Sequence, residues 1–245
     1  YIEVHKSLFP PESEVYGDFN RFFMRSAENP ARILAEGTEI LSLDYTEHLF
    51  YLTCHAYKHF LHSGFGIRQV CDIIMYSNTY GEKINWQLLL GWSREIHGEF
   101  FAAALFKIGK KYLIFDEKKA CFPEEWSKIK VDESLLLRDI LDAGVYGYEG
   151  RERRHSSNLT LNEVSRQWNG ERKKPVLQTI FPSLKSMKNE FAFLKKIPFL
   201  LPAAWLIRIL RYEKEMRKNA HKNVTDALKV GNRRIELMRK YKIIE

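Results

Sequence analysis

Apolar positions in this chain recur with a helical period over most of its length, and the clearest case runs from His48 to Tyr76. At about 100° per residue, Leu49, Phe50, Thr53, Cys54, Ala56, Tyr57, Phe60 and Leu61 fill one broad arc. His48, His55, His59 and His62 fall in a narrow arc opposite, with Leu52 among them and Lys58 at its edge. After Ser63-Gly64 the pattern repeats: Ile67, Val70, Cys71, Ile73 and Ile74 on one side, Arg68, Gln69, Asp72 and Tyr76 on the other. Two consecutive helices are expected, each with an apolar back and a titratable front. Such a front is most often a solvated face, and Arg68 with Asp72 at i,i+4 reads as a surface pair worth about 0.3–0.5 kcal/mol. Exposed faces usually carry Glu and Lys, however, so four histidines in one stripe point to a face that meets something.

The flanking patterns predict the remaining elements. Ile2 to Leu8 alternates as a half-buried strand and ends at Pro10-Pro11. Glu14 to Ala27 reads as a helix carrying Val15, Phe19, Phe22 and Phe23, closed by Asn29-Pro30. Ile33-Leu34 and Ile40-Leu41 around Gly37 predict a short hairpin. Asp44 precedes Glu47 by a capping-box spacing, with Asp as the cap. Further helices are expected from Asn85-Trp86 to Ile96, from Glu99 to Tyr112, and from Glu133 to Ala143 behind an Asp132 cap. Gly144 to Gly150 reads as a glycine and tyrosine turn. Residues 151–174 are the most linker-like stretch, with one helical passage over Leu159 to Trp168. Pro182 to Lys195, Ala203 to Lys218 and Val224 to Tyr241 complete the helices, with Pro198 and Pro202 marking a break. The expected fold is mainly α with an N-terminal β-strand and a short hairpin, in three parts: 1–42, 43–150 and 151–245.

At 245 residues, 45% hydrophobic and 13% aromatic, the chain can bury a sizeable core, which excludes wholesale disorder. The net charge of +8 is unevenly placed: residues 1–150 hold 16 Lys and Arg against 22 Asp and Glu, residues 151–245 hold 23 against 9. Two explanations stand, an anionic partner for the basic third or docking of that third on the acidic part of the same chain. Three cysteines without paired spacing exclude a disulfide framework and a zinc ribbon, and fit the cytoplasm. The most apolar run, Ile197 to Ile207, is shorter than the roughly 20 residues a membrane span needs.

Spacing excludes several familiar sites. There is no glycine-rich phosphate loop, no GxSxG and no HExxH. His55 and His59 stand at i,i+4, a geometry that can hold zinc, but Ala56 occupies the place of the metalloprotease glutamate. Metal binding by the histidine helix is the lesser reading.

The order IEVHKSLF at Ile2–Phe9, LDYTEHLFYLTCHAYKHF at Leu43–Phe60, GIRQVCDIIMY at Gly66–Tyr76 and INWQLLL at Ile84–Leu90 resembles the uncharacterised nucleotidyltransferase family of bacterial polysaccharide and peptide biosynthetic clusters. That family lies within the DNA polymerase β-like superfamily. The resemblance covers roughly the first half of the chain and rests on order and spacing rather than on one diagnostic motif. It implies an α+β nucleotidyltransferase-like fold and the transfer of a nucleoside monophosphate from a nucleoside triphosphate (NTP) to an acceptor that nothing in the sequence identifies. It also implies magnesium (Mg2+), held in the superfamily as two ions on three carboxylates, two of them from a G-S…D-x-D element. Glu3 matches the third carboxylate, as catalytic residue and metal ligand. The paired-carboxylate element is expected before Tyr1, so these 245 residues read as the latter part of an enzyme, not active alone. The same resemblance turns the polar front toward a nucleotide cleft. Lys58 and Arg68 are then candidate phosphate or acceptor contacts. His55 and His59 are candidate hydrogen-bonding partners of base, sugar or acceptor, and Asp72 would orient Arg68 or a histidine, or bind an amine.

Two rival readings use the basic third. Nucleic acid would be held through phosphates by RKNAHK and NRRIELMRKYK, although aromatic residues are not interleaved with the basic ones. An anionic membrane surface would be met by Pro198–Arg211, where Phe199, Leu200, Leu201, Trp205, Leu206 and Ile209 adjoin Arg208 and Arg211. The commoner explanation of such a helix is docking on a protein core.

Overall fold

The computed structural model describes residues 6–28, 30–144, 151–170, 181–184, 187, 190–218 and 224–245. The expected strand at Ile2–Leu8 lies mostly outside these residues, and so does the Gly144–Gly150 turn; residues 6–9 are bends. Among the described residues the chain is mainly helical with one two-stranded antiparallel sheet. Strands β1 (Ala31–Ala35) and β2 (Thr38–Ser42) pair with Ile33 opposite Ile40, as the hairpin pattern predicts. Glu36 and Gly37 both take positive φ, 48° and 80°, which suits the tight two-residue turn of a twisted hairpin.

The expected helix at Glu14–Ala27 is instead a 3₁₀ stretch, Gly17–Phe23, running into a short α1 (Met24–Glu28). Tertiary contacts override the helical period here. The Asn20 amide donates to Phe9 O and Gly17 O and accepts from Phe9 N. A Cβ on Gly17 would lie 2.7 Å from Pro11 O. Phe9, Phe19, Phe22 and Phe23 are thereby all buried against the next helix.

That helix is α2 (Tyr45–His62), followed by α3 (Ile67–Tyr80), α4 (Trp86–Glu95) and α5 (Glu99–Tyr112). Every residue assigned to the apolar arc of α2 is buried. On the first turn Asp44 caps as expected, accepting from Thr46 N and Glu47 N at 2.8 Å. The reciprocal half of the capping box runs through Ser26 instead. Its hydroxyl accepts from Asp44 N at 2.8 Å, and Glu47, fully buried, accepts from Ser26 N at 3.1 Å. Asn85 caps α4 through Leu88 N.

Two short helices, α6 (Glu124–Lys128) and α7 (Glu133–Asp142), close this layer, α7 capped by Asp132 through Ser134 N. The stretch that reads as a linker is an 18-residue helix, α8 (Arg151–Trp168). Its charged letters hide a buried stripe of Arg153, Ser156, Ser157, Thr160 and Val164. Small residues let the last helix approach closely: a Cβ on its Gly231 would lie 3.0 Å from Leu159 Cδ1 and 3.4 Å from Ser156 Cβ. Val164, Met238, Tyr241, Ile243 and Ile244 belong to the same hydrophobic core as α2 to α5.

Of the expected helix at 182–195, residues 184, 187 and 190 are helical, and Ala192–Lys195 is a 3₁₀ turn. A second 3₁₀ turn, Pro198–Leu200, leads into α9 (Leu201–Lys218). Pro202 sits in the first turn of α9, where its missing N–H leaves no bond unmade. Met187, Phe191, Leu194 and Ala204 form a small core of their own. The last helix, α10 (Val224–Lys240), is the one the sequence predicts. Among the described residues no helix is long and apolar enough to cross a membrane.

Candidate functional site

The front of α2 is held in place from behind and from below. The last carbonyls of an α-helix have no partner within it, and here side chains far along the chain supply one. Arg234 of α10 donates through Nη1 to His62 O at 2.8 Å and through Nη2 to Phe60 O. Thr160 of α8 donates to Leu61 O at 2.9 Å. Arg153 Nη1 reaches Ser63 O at 3.4 Å.

Asp139 of α7 joins both guanidinium groups. Arg153 Nη2 lies 2.8 Å from Asp139 Oδ1, and Arg234 Nε stands 3.8 Å from the same oxygen. All three side chains are nearly fully buried. One carboxylate between two cations leaves an excess positive charge, which the negative end of the α2 dipole offsets. Burial lowers the Arg234 guanidinium to about 10, with Asp139 raising it and Arg153 lowering it further, so it stays charged at neutral pH. Part of the basic third is therefore engaged on the acidic part of the chain, as one of the two charge explanations expects. Arg233 adds an exposed pair with Asp142 at 2.6 Å.

The front itself is half-buried rather than solvated. His48, His55, Lys58, His59 and His62 all lie partly covered. The segment before α1 supplies part of the cover, since Lys58 Nζ sits 5.8 Å from the Tyr16 ring centre and Phe9 packs on Tyr51, which stacks on His55 at 5.9 Å. The helical period brings His55 and His59 together, with their Nε2 atoms 3.1 Å apart. A hydrogen bond between two Nε2 atoms needs one proton between them, so the accepting ring carries its own proton on Nδ1.

Burial, reinforced by Lys58, pulls the His55 imidazole below its ordinary value. His59 falls furthest, to about 4, through burial first and then the neighbouring His55, Lys58 and His62. His62 is lowered by burial, Arg234 and Lys58, His48 by burial alone, and burial also lowers Lys58. At neutral pH the stripe is thus a set of uncharged imidazoles beside one amine. It can donate and accept hydrogen bonds and take up a proton when an anion arrives.

Arg68 and Asp72 occupy the first and second turns of α3, both exposed. The fronts of α2 and α3 meet at His48 and Tyr76, whose ring centres are 4.7 Å apart. Tyr76 continues into Tyr80 at 4.8 Å and Tyr80 into Tyr45 at 5.1 Å, with Lys83 Nζ 3.1 Å from the Tyr45 hydroxyl. Glu3 lies outside the described residues. Among the described residues no three His, Cys, Asp or Glu side chains converge as a metal site. The front offers imidazole nitrogens and an amine, whereas magnesium takes oxygen ligands, so these residues do not fit a magnesium cage.

Sequence reasoning missed the buried network of Asp139, Arg153 and Arg234, and also the Tyr45–Tyr80 stack. A signal for the network was present: Gly231, Arg234, Met238 and Tyr241 recur on one stripe of the last helix, with an arginine at a core position. The surrounding charges concealed it.

No curated protein and no solved structure matches the chain. Residues 1–110, which include the whole histidine front and end within α5, match the family model of an uncharacterised nucleotidyltransferase.

Proposed function

We propose that this chain serves a nucleotidyltransferase that moves a nucleoside monophosphate from an NTP to an acceptor, and that the α2–α3 front lines the nucleotide or acceptor cleft. One observation carries the reading: the segment that matches the family is the segment that bears a half-buried stripe of neutral imidazoles and a lysine.

Within this reading Lys58 and Arg68 offset phosphate charge, since a cation beside a triphosphate forms charge-assisted hydrogen bonds. His55 and His59 bind hydroxyl or ring groups of the nucleotide or the acceptor. Asp72, one turn beyond Arg68, orients it or receives an amine. Magnesium, with Glu3 among its ligands, belongs to the reading on the strength of the family alone.

Titration calorimetry of the protein with an NTP tests the assignment. Lys58→Ala and Arg68→Ala are each expected to weaken binding by about tenfold, the size of one lost charge-assisted hydrogen bond. Unchanged affinity in both variants, or no NTP binding by the unmutated protein, overturns it.

A further inference from the structure

Residues 181–211 carry a surface that the nucleotide reading does not use. α9 turns Leu201, Ala204, Trp205 and Arg208 toward the small core, where Trp205 Nε1 donates to Pro182 O at 2.9 Å and Arg211 lies 5.2 Å over the Phe191 ring. At about 100° per residue, the opposite side of its first three turns holds Pro202, Ala203, Leu206, Ile207 and Leu210, with no charged residue among them. A helix that is apolar on every side is ordinarily buried on every side. Here the outer side is open among the described residues: Phe199 is 80% exposed, Leu206 58% and Leu210 55%. The commoner outcome, a helix whose apolar residues all dock on a core, is therefore not what α9 shows.

The surroundings of this apolar side are basic. Residues 181–218 hold nine Lys and Arg against three Glu, and Lys195, Lys196 and Arg211 are exposed within the same segment. Nucleic acid would engage the cations but has no use for Phe199, Leu206 and Leu210. A lipid surface uses both, the apolar side chains entering the acyl boundary while the cations meet anionic headgroups. The helix is not long and apolar enough to cross, so it would lie in the plane of the surface. We infer that the outer side of α9, with Phe199 and the flanking lysines, docks the protein on an anionic membrane surface. This inference does not rest on the nucleotide reading, and vesicles without nucleotide test it separately.

In a flotation assay, the protein is expected to rise with phosphatidylcholine vesicles containing about 30 mol% phosphatidylserine and to stay behind with phosphatidylcholine alone. Added salt weakens the association by screening. Leu206→Glu with Leu210→Glu, and separately Lys195→Gln with Lys196→Gln, each reduce it by about tenfold or more. Both pairs are exposed, so an unchanged circular dichroism spectrum and unfolding midpoint accompany the loss. Should the glutamate pair fail to fold, Phe199→Trp supplies a second readout, a blue shift of its emission on anionic vesicles. Failure to float with anionic vesicles, equal flotation without phosphatidylserine, or full binding by both variant pairs overturns the inference. So does a dimer that the glutamate pair converts to monomer while vesicles are ignored, because a second copy would then cover the face.

Discussion

Arg234 donates a hydrogen bond of 2.8 Å to the carbonyl of His62, joining the last helix of the chain to the end of the histidine helix. Arg234 is 1% exposed and its guanidinium also bonds to Phe60 O, so the orientation of the family-matched helix depends on a residue far outside the matched segment.

Replacing Arg234 by methionine removes both donors, takes a cation from Asp139 and leaves Phe60 O without its side-chain partner, while His62 O keeps the Thr160 hydroxyl. A loss of about 3–5 kcal/mol in urea unfolding is expected, the range seen when one partner of a buried ionic network is deleted. Arg233→Met is the control. Its pair with Asp142 is exposed, and the cost is expected to stay within about 1 kcal/mol.

Gly64 turns the chain between α2 and α3 with φ +107°, and a Cβ there would lie 2.4 Å from Arg153 Nη1. Gly64→Ala therefore combines backbone strain with displacement of a buried cation. Destabilisation of about 2–4 kcal/mol is expected by chemical denaturation. Alanine at Gly170, whose φ of +68° is strained but whose Cβ meets nothing within 4 Å, is expected to cost only the strain, about 1 kcal/mol.

The depressed histidines set a pH dependence. In the unfolded chain His59 takes a proton near its ordinary 6.5, whereas in the folded chain it does so only near 4. Between those values the unfolded state binds more protons, so stability falls as pH drops from 6.5 toward 4 and then levels for this group. Because His59 is only half-buried, its share is on the order of 1 kcal/mol after solvent screening. His59→Gln, followed by urea midpoints across this window, is expected to flatten the profile; an unaltered slope would assign the effect to other groups.

An NTP placed against the α2 front brings negative charge to the His55–His59 pair and raises its proton affinity. Binding at about pH 6 should then take up a proton, seen as a calorimetric enthalpy that varies with the ionisation enthalpy of the buffer. His55→Asn with His59→Asn should abolish that dependence. Buffer-independent enthalpy in the unmutated protein places the phosphates away from the pair.

The sequence alone determined the elements whose period was unambiguous. The buried arc of α2, the caps at Asp44 and Asp132, the hairpin around Gly37 and the helices at Glu99–Tyr112 and Val224–Lys240 are all legible in it. The reason is that burial of one face and satisfaction of the first N–H groups are local demands on neighbouring residues. The order of segments around the histidines likewise pointed to the family that residues 1–110 match. Tertiary structure decided what depends on groups distant in the chain. It set Gly17–Phe23 as a 3₁₀ stretch against Pro11, routed the reciprocal half of the α2 capping box through Ser26, and drew Arg153 and Arg234 inside on Asp139 and the α2 carbonyls. An arginine reads as solvated in a one-dimensional pattern, because only the folded chain shows which buried oxygens await it.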